Sequence, residues 1–443
     1  MTRLSTLLPM LMRQRPAKNN SISMDTTFHN TNAPKDRRVI LEKKARAYAQ
    51  KLIASATDYT YATPETALAI AGDATYQSAL KRKLAPFKEV EHVVLVGIGG
   101  SSLGTEAVYR ALAQPSSPTL LVLDAVDADS LAQFDALLAT IGDPKKLAVV
   151  VISKSGATTE TLVNATYVFG ACEKKFGAEY VHRCVCVGND GTSFLNAARE
   201  KHMLTFTIPE SIGGRYSVFT AVGMVPLILL GIDVNSLRKG AKDALTKDRV
   251  ALSKTSAVTL ALHAEQGFHT LNFFTFSNRL YTLGFWYRQL FAESIGKPTT
   301  KEGVVFLQHM HPTVSTSVDL HSMAQMYLGG YTHLYTHFIS CKEQNVHTTH
   351  ADHWLLGEHL ALGNKKHTAI ARAIREGVLK AYDEQKLPYS HTELAKCSAY
   401  ELGLFMASSM VEVMCLAHVC NVDAFTQPSV ELYKAHTRTA LAK

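Results

Sequence analysis

His92-Val93-Val94-Leu95-Val96-Gly97-Ile98-Gly99-Gly100-Ser101 opens as a run of aliphatic, mostly β-branched residues and ends in three glycines and a serine. A short apolar run bounded by turn residues reads as a buried strand, here Val93 to Val96. A helical stretch follows from Glu106. Glycines between a strand and a helix let backbone amides approach a ligand closely, and the start of the helix adds free N–H groups and a positive dipole end. Two other readings stand beside this one. A dinucleotide-binding loop needs a third glycine where this chain has Ser102. A purely structural turn needs no ligand at all.

Outward from this strand the pattern repeats. Leu120 to Leu123, Ala148 to Ile152 and Val181 to Val187 are further β-branched-rich runs separated by segments of helix length. Strands alternating with helices predict a parallel sheet covered on both faces, hence an α/β fold. After a helical segment around Val222 to Gly231, a weaker second cycle shows strands at Leu271 to Phe276 and His333 to Ile339. A chain of 443 residues has room for two or three domains. The expected division is an N-terminal tail at 1–37, a first domain at 38–235, a second at 236–391 and a mainly helical C-terminal arm at 392–443. The tail reads as disordered, as a presequence, or as residues ahead of a start at Met24; a helix is expected over Asp36 to Ala54.

The composition narrows the function classes. The net charge of +8 is spread without a basic stripe interleaved with aromatics, so nucleic acid is not an expected partner. A small anionic substrate or plain solubility accounts for that charge equally well. Ala221 to Ile232 reads as the longest apolar run, well short of the roughly 20 residues that span a bilayer, so no membrane partner is expected. Seven scattered cysteines, with only Cys184 and Cys186 close together, suit neither a zinc knuckle nor a redox pair. They read as reduced, buried thiols in a reducing compartment, the cytoplasm.

Ser153-Lys154-Ser155-Gly156-Ala157-Thr158-Thr159-Glu160-Thr161 lies at the carboxyl end of the run Ala148 to Ile152, where open α/β sheets hold ligands. The hydroxyls of Ser153, Ser155 and Thr158 suit phosphate oxygens, Lys154 offers a cation or a backbone contact, and the next helix aims N–H groups at an anion. The alternative is a helix cap at Thr158, which would not by itself need so many small polar neighbours.

These two loops, followed by Gly213-Gly214-Arg215-Tyr216-Ser217-Val218-Phe219-Thr220-Ala221-Val222-Gly223, resemble the sugar-isomerase domains and arginine signature of the glucose-6-phosphate isomerase family. The resemblance continues through Gln289-Leu290-Phe291-Ala292-Glu293-Ser294-Ile295-Gly296-Lys297, Asp319-Leu320-His321-Ser322 and Phe425-Thr426-Gln427-Pro428-Ser429-Val430-Glu431-Leu432-Tyr433-Lys434. It covers about Val93 to Lys434, in family order, and is nearest the compact bacterial branch. Thr426, Ser429 and Tyr433 depart from it, standing where the family commonly has Asp, Gly and Gly.

The resemblance implies two sugar-isomerase-type domains, a sugar phosphate as substrate, no cofactor, no metal, and a homodimer with shared active sites. It implies Glu293 as the base that moves a proton between C1 and C2, since aldose–ketose conversion needs a carboxylate beside both carbons. Arg215 would stabilise the enediolate. His321 and Lys434 would open the sugar ring, a histidine titrating near neutrality. Gly100, Ser101, Ser153, Lys154, Ser155, Thr158, Gln289 and Gln427 would bind substrate. A related isomerase for mannose or amino-sugar phosphates, or a non-catalytic phosphosugar sensor, are the rival readings. His347, His350, His353 and His359 offer a metal cluster or, on drifting helical spacing, a surface cluster.

Overall fold

The computed structural model describes residues 24–342, 347–350, 354–356 and 360–442. Its strands are β1 Asp25–His29, β2 His92–Val96, β3 Thr119–Leu123, β4 Leu147–Ile152, β5 Cys184–Gly188, β6 Leu204–Thr207, β7 Thr270–Thr275, β8 His311–Thr316, β9 Leu334–Cys341 and β10 Tyr389–Leu394. They form two five-stranded sheets, in the orders β3-β2-β4-β5-β6 and β1-β10-β9-β7-β8. The first sheet is wholly parallel. In the second only β1 runs antiparallel, against β10. This is the expected α/β architecture of two mainly parallel sheets flanked by helices.

The two sheets share one order of connection. β3-β2-β4-β5 corresponds to β8-β7-β9-β10, so helix Leu103–Leu112 after β2 is the counterpart of helix Tyr281–Ile295 after β7. These two helices pack against each other between the sheets. Side chains alternate along each strand, and that alternation divides the core. Val93, Leu95, Val150 and Ile152 face a core shared with Leu271, Phe273, Tyr335 and Ile339 of the second sheet. Val94, Val96, Val149 and Val151 fill a separate core on the outer face of the first sheet. Phe274, Phe338 and Tyr389 do the same for the second.

The segment after residue 392 is mainly helical, as expected, but most of it belongs to the core rather than to a peripheral arm. β10 runs across the expected start of the arm, and helix Ala399–Val419 lies in the shared core, against helices Val234–Asp243, Lys247–Glu265 and Lys35–Ser55. Among the described residues this helix, not Ala221 to Ile232, is the one long and apolar enough to cross a membrane, and 89% of its apolar window is buried inside the protein. A helix surrounded by other helices is apolar on every side, which removes the amphipathic signal. It crosses Val234–Asp243 so closely that a Cβ at Gly240 would lie 1.8 Å from the Tyr400 carbonyl oxygen. Among the described residues, helix Glu431–Leu441 is the exposed terminal element of the kind foreseen.

The expected tail also needs correction. Residues 1–23 lie outside the described residues, but Asp25–His29 is an edge strand and helix Lys35–Ser55 packs on the second sheet's helices. Asp-Thr-Thr-Phe-His carries too little apolar alternation to announce a strand; its pairing with β10 supplies what the sequence pattern lacks.

Candidate functional site

β2 and β4 are the strands between which the first sheet's order reverses, so their carboxyl-end loops emerge side by side. Gly99 turns the β2 loop with φ +61°. Gly100 then lies directly on the Gly214–Arg215 backbone: a Cβ there would meet the Gly214 carbonyl carbon at 2.4 Å. The Ser217 hydroxyl ties the two turns together, donating to Gly214 O at 2.7 Å and to Gly100 O at 3.4 Å.

This close approach fixes where Arg215 leaves the chain. Its side chain is buried, 1% exposed, and its donors are committed in several directions. Nε donates to Ser294 Oγ at 2.9 Å, Nη1 to Glu293 Oε2 at 2.9 Å and to Gln427 Oε1 at 2.7 Å. Nη2 donates to the carbonyls of Ala424 at 2.6 Å and Thr426 at 3.3 Å. A planar guanidinium with five N–H groups suits such a junction where a lysine ammonium would not. One residue thereby joins the first sheet, the end of helix Tyr281–Ile295 and the loop leading to the last helix.

Glu293 projects from the last turn of that helix, one third exposed. Its Oε2 accepts from Arg215 and its Oε1 from Gln289 Nε2 at 2.8 Å. Gln289, one helical turn earlier, also sits on the glycine turn: a Cβ at Gly99 would be 2.9 Å from its Nε2. The carboxylate is thus oriented on both oxygens yet keeps lone pairs toward solvent.

The hydroxyl-rich loop follows β4. Ser153 is buried and its hydroxyl faces Thr158 Oγ1 at 3.4 Å. Gly156 turns the loop at φ +66°, and Ser155 Oγ accepts from the Ala157 amide at 3.3 Å. Thr158 occupies the N-cap of helix Thr159–Phe176 without a side-chain capping bond, so the capping alternative does not account for its hydroxyl. Lys154 Nζ donates to the Glu210 carbonyl at 2.8 Å, and burial pushes its pKa down, opposed by the Glu210 charge.

Two expected residues are not brought to this cluster. His321 caps the turn Ser317–Leu320 beyond β8, exposed, with no hydrogen bond to Arg215, Glu293 or Gln427 among the described residues. Lys434 lies on the exposed helix Glu431–Leu441 and pairs with Glu431 at 2.7 Å. Of the four histidines, His353 and His359 lie outside the described residues; His347 and His350 are exposed.

Several participants had no assigned role in the sequence reading. Ser294 receives Arg215 Nε and bonds the buried Tyr216 hydroxyl at 2.9 Å. Lys297, 5% exposed, donates to Glu293 O at 2.6 Å and to Thr426 O. Burial and the neighbouring Arg215 charge push its pKa down to about 8, partly offset by Asp423 and Glu293. Thr426 serves through its carbonyl, while its hydroxyl donates to Asp423 Oδ2 at 2.9 Å. Both Ser294 and Lys297 fall inside the Gln289-to-Lys297 motif, which was the available signal.

The phosphoglucose isomerase family model matches residues 74–442. A glucose-6-phosphate isomerase of Leptospira biflexa is 30% identical over 372 residues, covering 80% of each chain. That of onion yellows phytoplasma is 30% identical over 354 residues, 77% of this chain and 81% of its own. Among solved structures, a hypothetical protein of Thermus thermophilus superposes with a TM-score of 0.82 at 26% identity, over 95% of this chain and 100% of its own. The match runs from the helix ahead of β2 to the last helix and takes in the whole Arg215 junction; the chain belongs to the phosphoglucose isomerase family.

Proposed function

We propose that this chain interconverts glucose 6-phosphate and fructose 6-phosphate through an enediolate, the isomerisation used in glycolysis and gluconeogenesis. The observation that carries the proposal is the Glu293 carboxylate held between Arg215 Nη1 and Gln289 Nε2. The phosphate would rest on the Ser153, Ser155 and Thr158 hydroxyls and the backbone of Gly100 and Ser101, with Lys154 bracing the loop. Glu293 takes the C2 proton of the open sugar and returns it to C1 while the O2 hydroxyl proton passes to O1, so no proton is gained or lost overall. Arg215 lies where the negative charge of the enediolate grows. Gln427 holds a sugar hydroxyl. A coupled assay with fructose 6-phosphate as sole substrate tests the reading: steady glucose 6-phosphate formation is expected, and none from folded protein would overturn it.

Ring opening is assigned to His321 and Lys434. Lys434 can be released from Glu431, because both side chains are exposed and their attraction is screened by salt. His321 is proposed to enter the pocket of a second copy in a homodimer. Mixed dimers of Glu293→Ala and His321→Ala subunits are then expected to regain activity, since one of their two sites contains both intact residues. Verified heterodimers that stay inactive would return His321 to its own subunit. The seven free cysteines fit a cytoplasmic location.

The Gly100 contact gives a sharper geometric test. Gly100→Ala forces the Gly214–Arg215 backbone away, and a misplacement of about 1 Å can cost about 100-fold in rate. The expected loss in kcat/KM is of that order. Gly142→Ala, with nothing within 4 Å of the added methyl, serves as control. Equal activity of the two variants would refute the role of the close approach.

A further inference from the structure

The second sheet has its own reversal point, between β7 and β9. β9 stands in that sheet where β4 stands in the first, and helix His367–Glu384, which follows β9, stands where Thr159–Phe176 follows β4. Ligands of open α/β sheets sit at the carboxyl ends of the strands at such a point. A cavity of about 430 Å³ opens there. Its lining includes Ser277 after β7, Lys342 after β9, Glu393 in β10, and Thr368, Arg372 and Arg375 from the first turns of the helix.

The charges at this cavity are unequal. Glu393 pairs with Arg375 at 3.2 Å and with Lys342 at 3.6 Å, so one carboxylate braces two cations across the cavity wall. Three cations against one carboxylate leave two positive charges around a space larger than a phosphate group. Arg375 is only 16% exposed, and its partner holds it in place. Arg372, one turn before, is exposed at the rim. Arginine forks match phosphate oxygens bidentately, and the hydroxyls of Ser277 and Thr368 add donors of the kind used in the first sheet's loop.

We propose that this cavity is a second anion site, specific for the phosphate group of a small phosphate monoester, separate from the isomerase site and topologically equivalent to it. Binding would be governed by Arg372 and Arg375 with Lys342, and would not require Glu293 or Arg215. The proposal stands whether or not the isomerase reading holds.

Titration calorimetry of the full chain with inorganic phosphate tests it, alongside isomerase turnover. Wild type is expected to bind two phosphates per chain. Ser155→Asp, which puts a carboxylate in the first sheet's loop, is expected to keep one, at the second-sheet cavity. Arg372→Glu is expected to weaken that second site at least about tenfold with kcat unchanged, whereas Arg372→Lys restores most of the affinity. Arg372 is exposed, so these variants are expected to fold, and circular dichroism checks it. A single wild-type phosphate that Ser155→Asp abolishes, or an Arg372→Glu titration identical to wild type, overturns the second site. Loss of turnover in Ser155→Asp bears on the isomerase reading alone.

Discussion

Glu293→Gln is expected to lower kcat by about 10²- to 10⁴-fold or more, with little change in substrate affinity. The local hydrogen bonds predict that the protein tolerates the change. Arg215 Nη1 can donate to the new amide oxygen as it did to the carboxylate. Gln289 Nε2, which donates to Glu293 now, would face the new amide nitrogen. Rotating the Gln289 amide removes that conflict, because its buried Oε1 has no partner among the described residues and would gain one. Volume, burial and bond number are then kept, and only the ability to take a proton is lost. The reading that isolates this is solvent exchange: wild type in deuterated water is expected to place deuterium at C2 of glucose 6-phosphate, and the variant is not. Exchange by Glu293→Gln at near the wild-type rate would remove Glu293 as the base, whatever its turnover.

The parts of this design that were readable in the sequence are those whose signal is local. β2, β4 and the glycine and hydroxyl loops behind them show as aliphatic runs ending in small residues, because a strand buried on both faces must be apolar throughout. The helix Ala399–Val419 carries Glu401 and Glu412, which break the apolar run without making the helix amphipathic. Glu412 is tolerated in the core because it accepts from the Tyr287 hydroxyl at 2.6 Å, and burial raises its pKa. That partner is 125 residues away, so no window of sequence contains the pair. The Arg215 junction has the same character. Arg215, Glu293 and Gln427 were readable as motif members, but the carbonyls of Ala424 and Thr426 were not, since every residue has a carbonyl. Thr426 departs from the family's usual Asp at a position that meets Arg215 and Lys297 through its backbone carbonyl, a role the motif does not reveal.

Arg215→Lys is expected to reduce kcat/KM by about 10²- to 10³-fold, the usual range for removing one donor aimed at developing negative charge. A lysine keeps the charge, so a role confined to net positive potential would predict a mild effect. The geometry predicts a severe one. One ammonium with three hydrogens cannot serve Ser294, Glu293, Gln427 and the two loop carbonyls, which lie around the whole guanidinium plane. Arg215→Met removes every donor and leaves a carboxylate facing an apolar side chain; breaking a buried ion pair costs about 3–5 kcal/mol, and the exposed third of Glu293 moves the expectation to the lower end. The two variants therefore separate the functions of the residue. Arg215→Lys is expected to lose less stability than Arg215→Met yet react slowly, because Lys297 still clasps Glu293 O to Thr426 O and keeps the loop in place. Arg215→Met is expected to lose stability as well, and adding Lys297→Met to Arg215→Lys is expected to expose the 423–427 loop to proteolysis. If Arg215→Lys turns over within about threefold of wild type, the enediolate is not stabilised by this guanidinium, and the donor must be sought among Gln289, Gln427 and the backbone amides of the glycine turn.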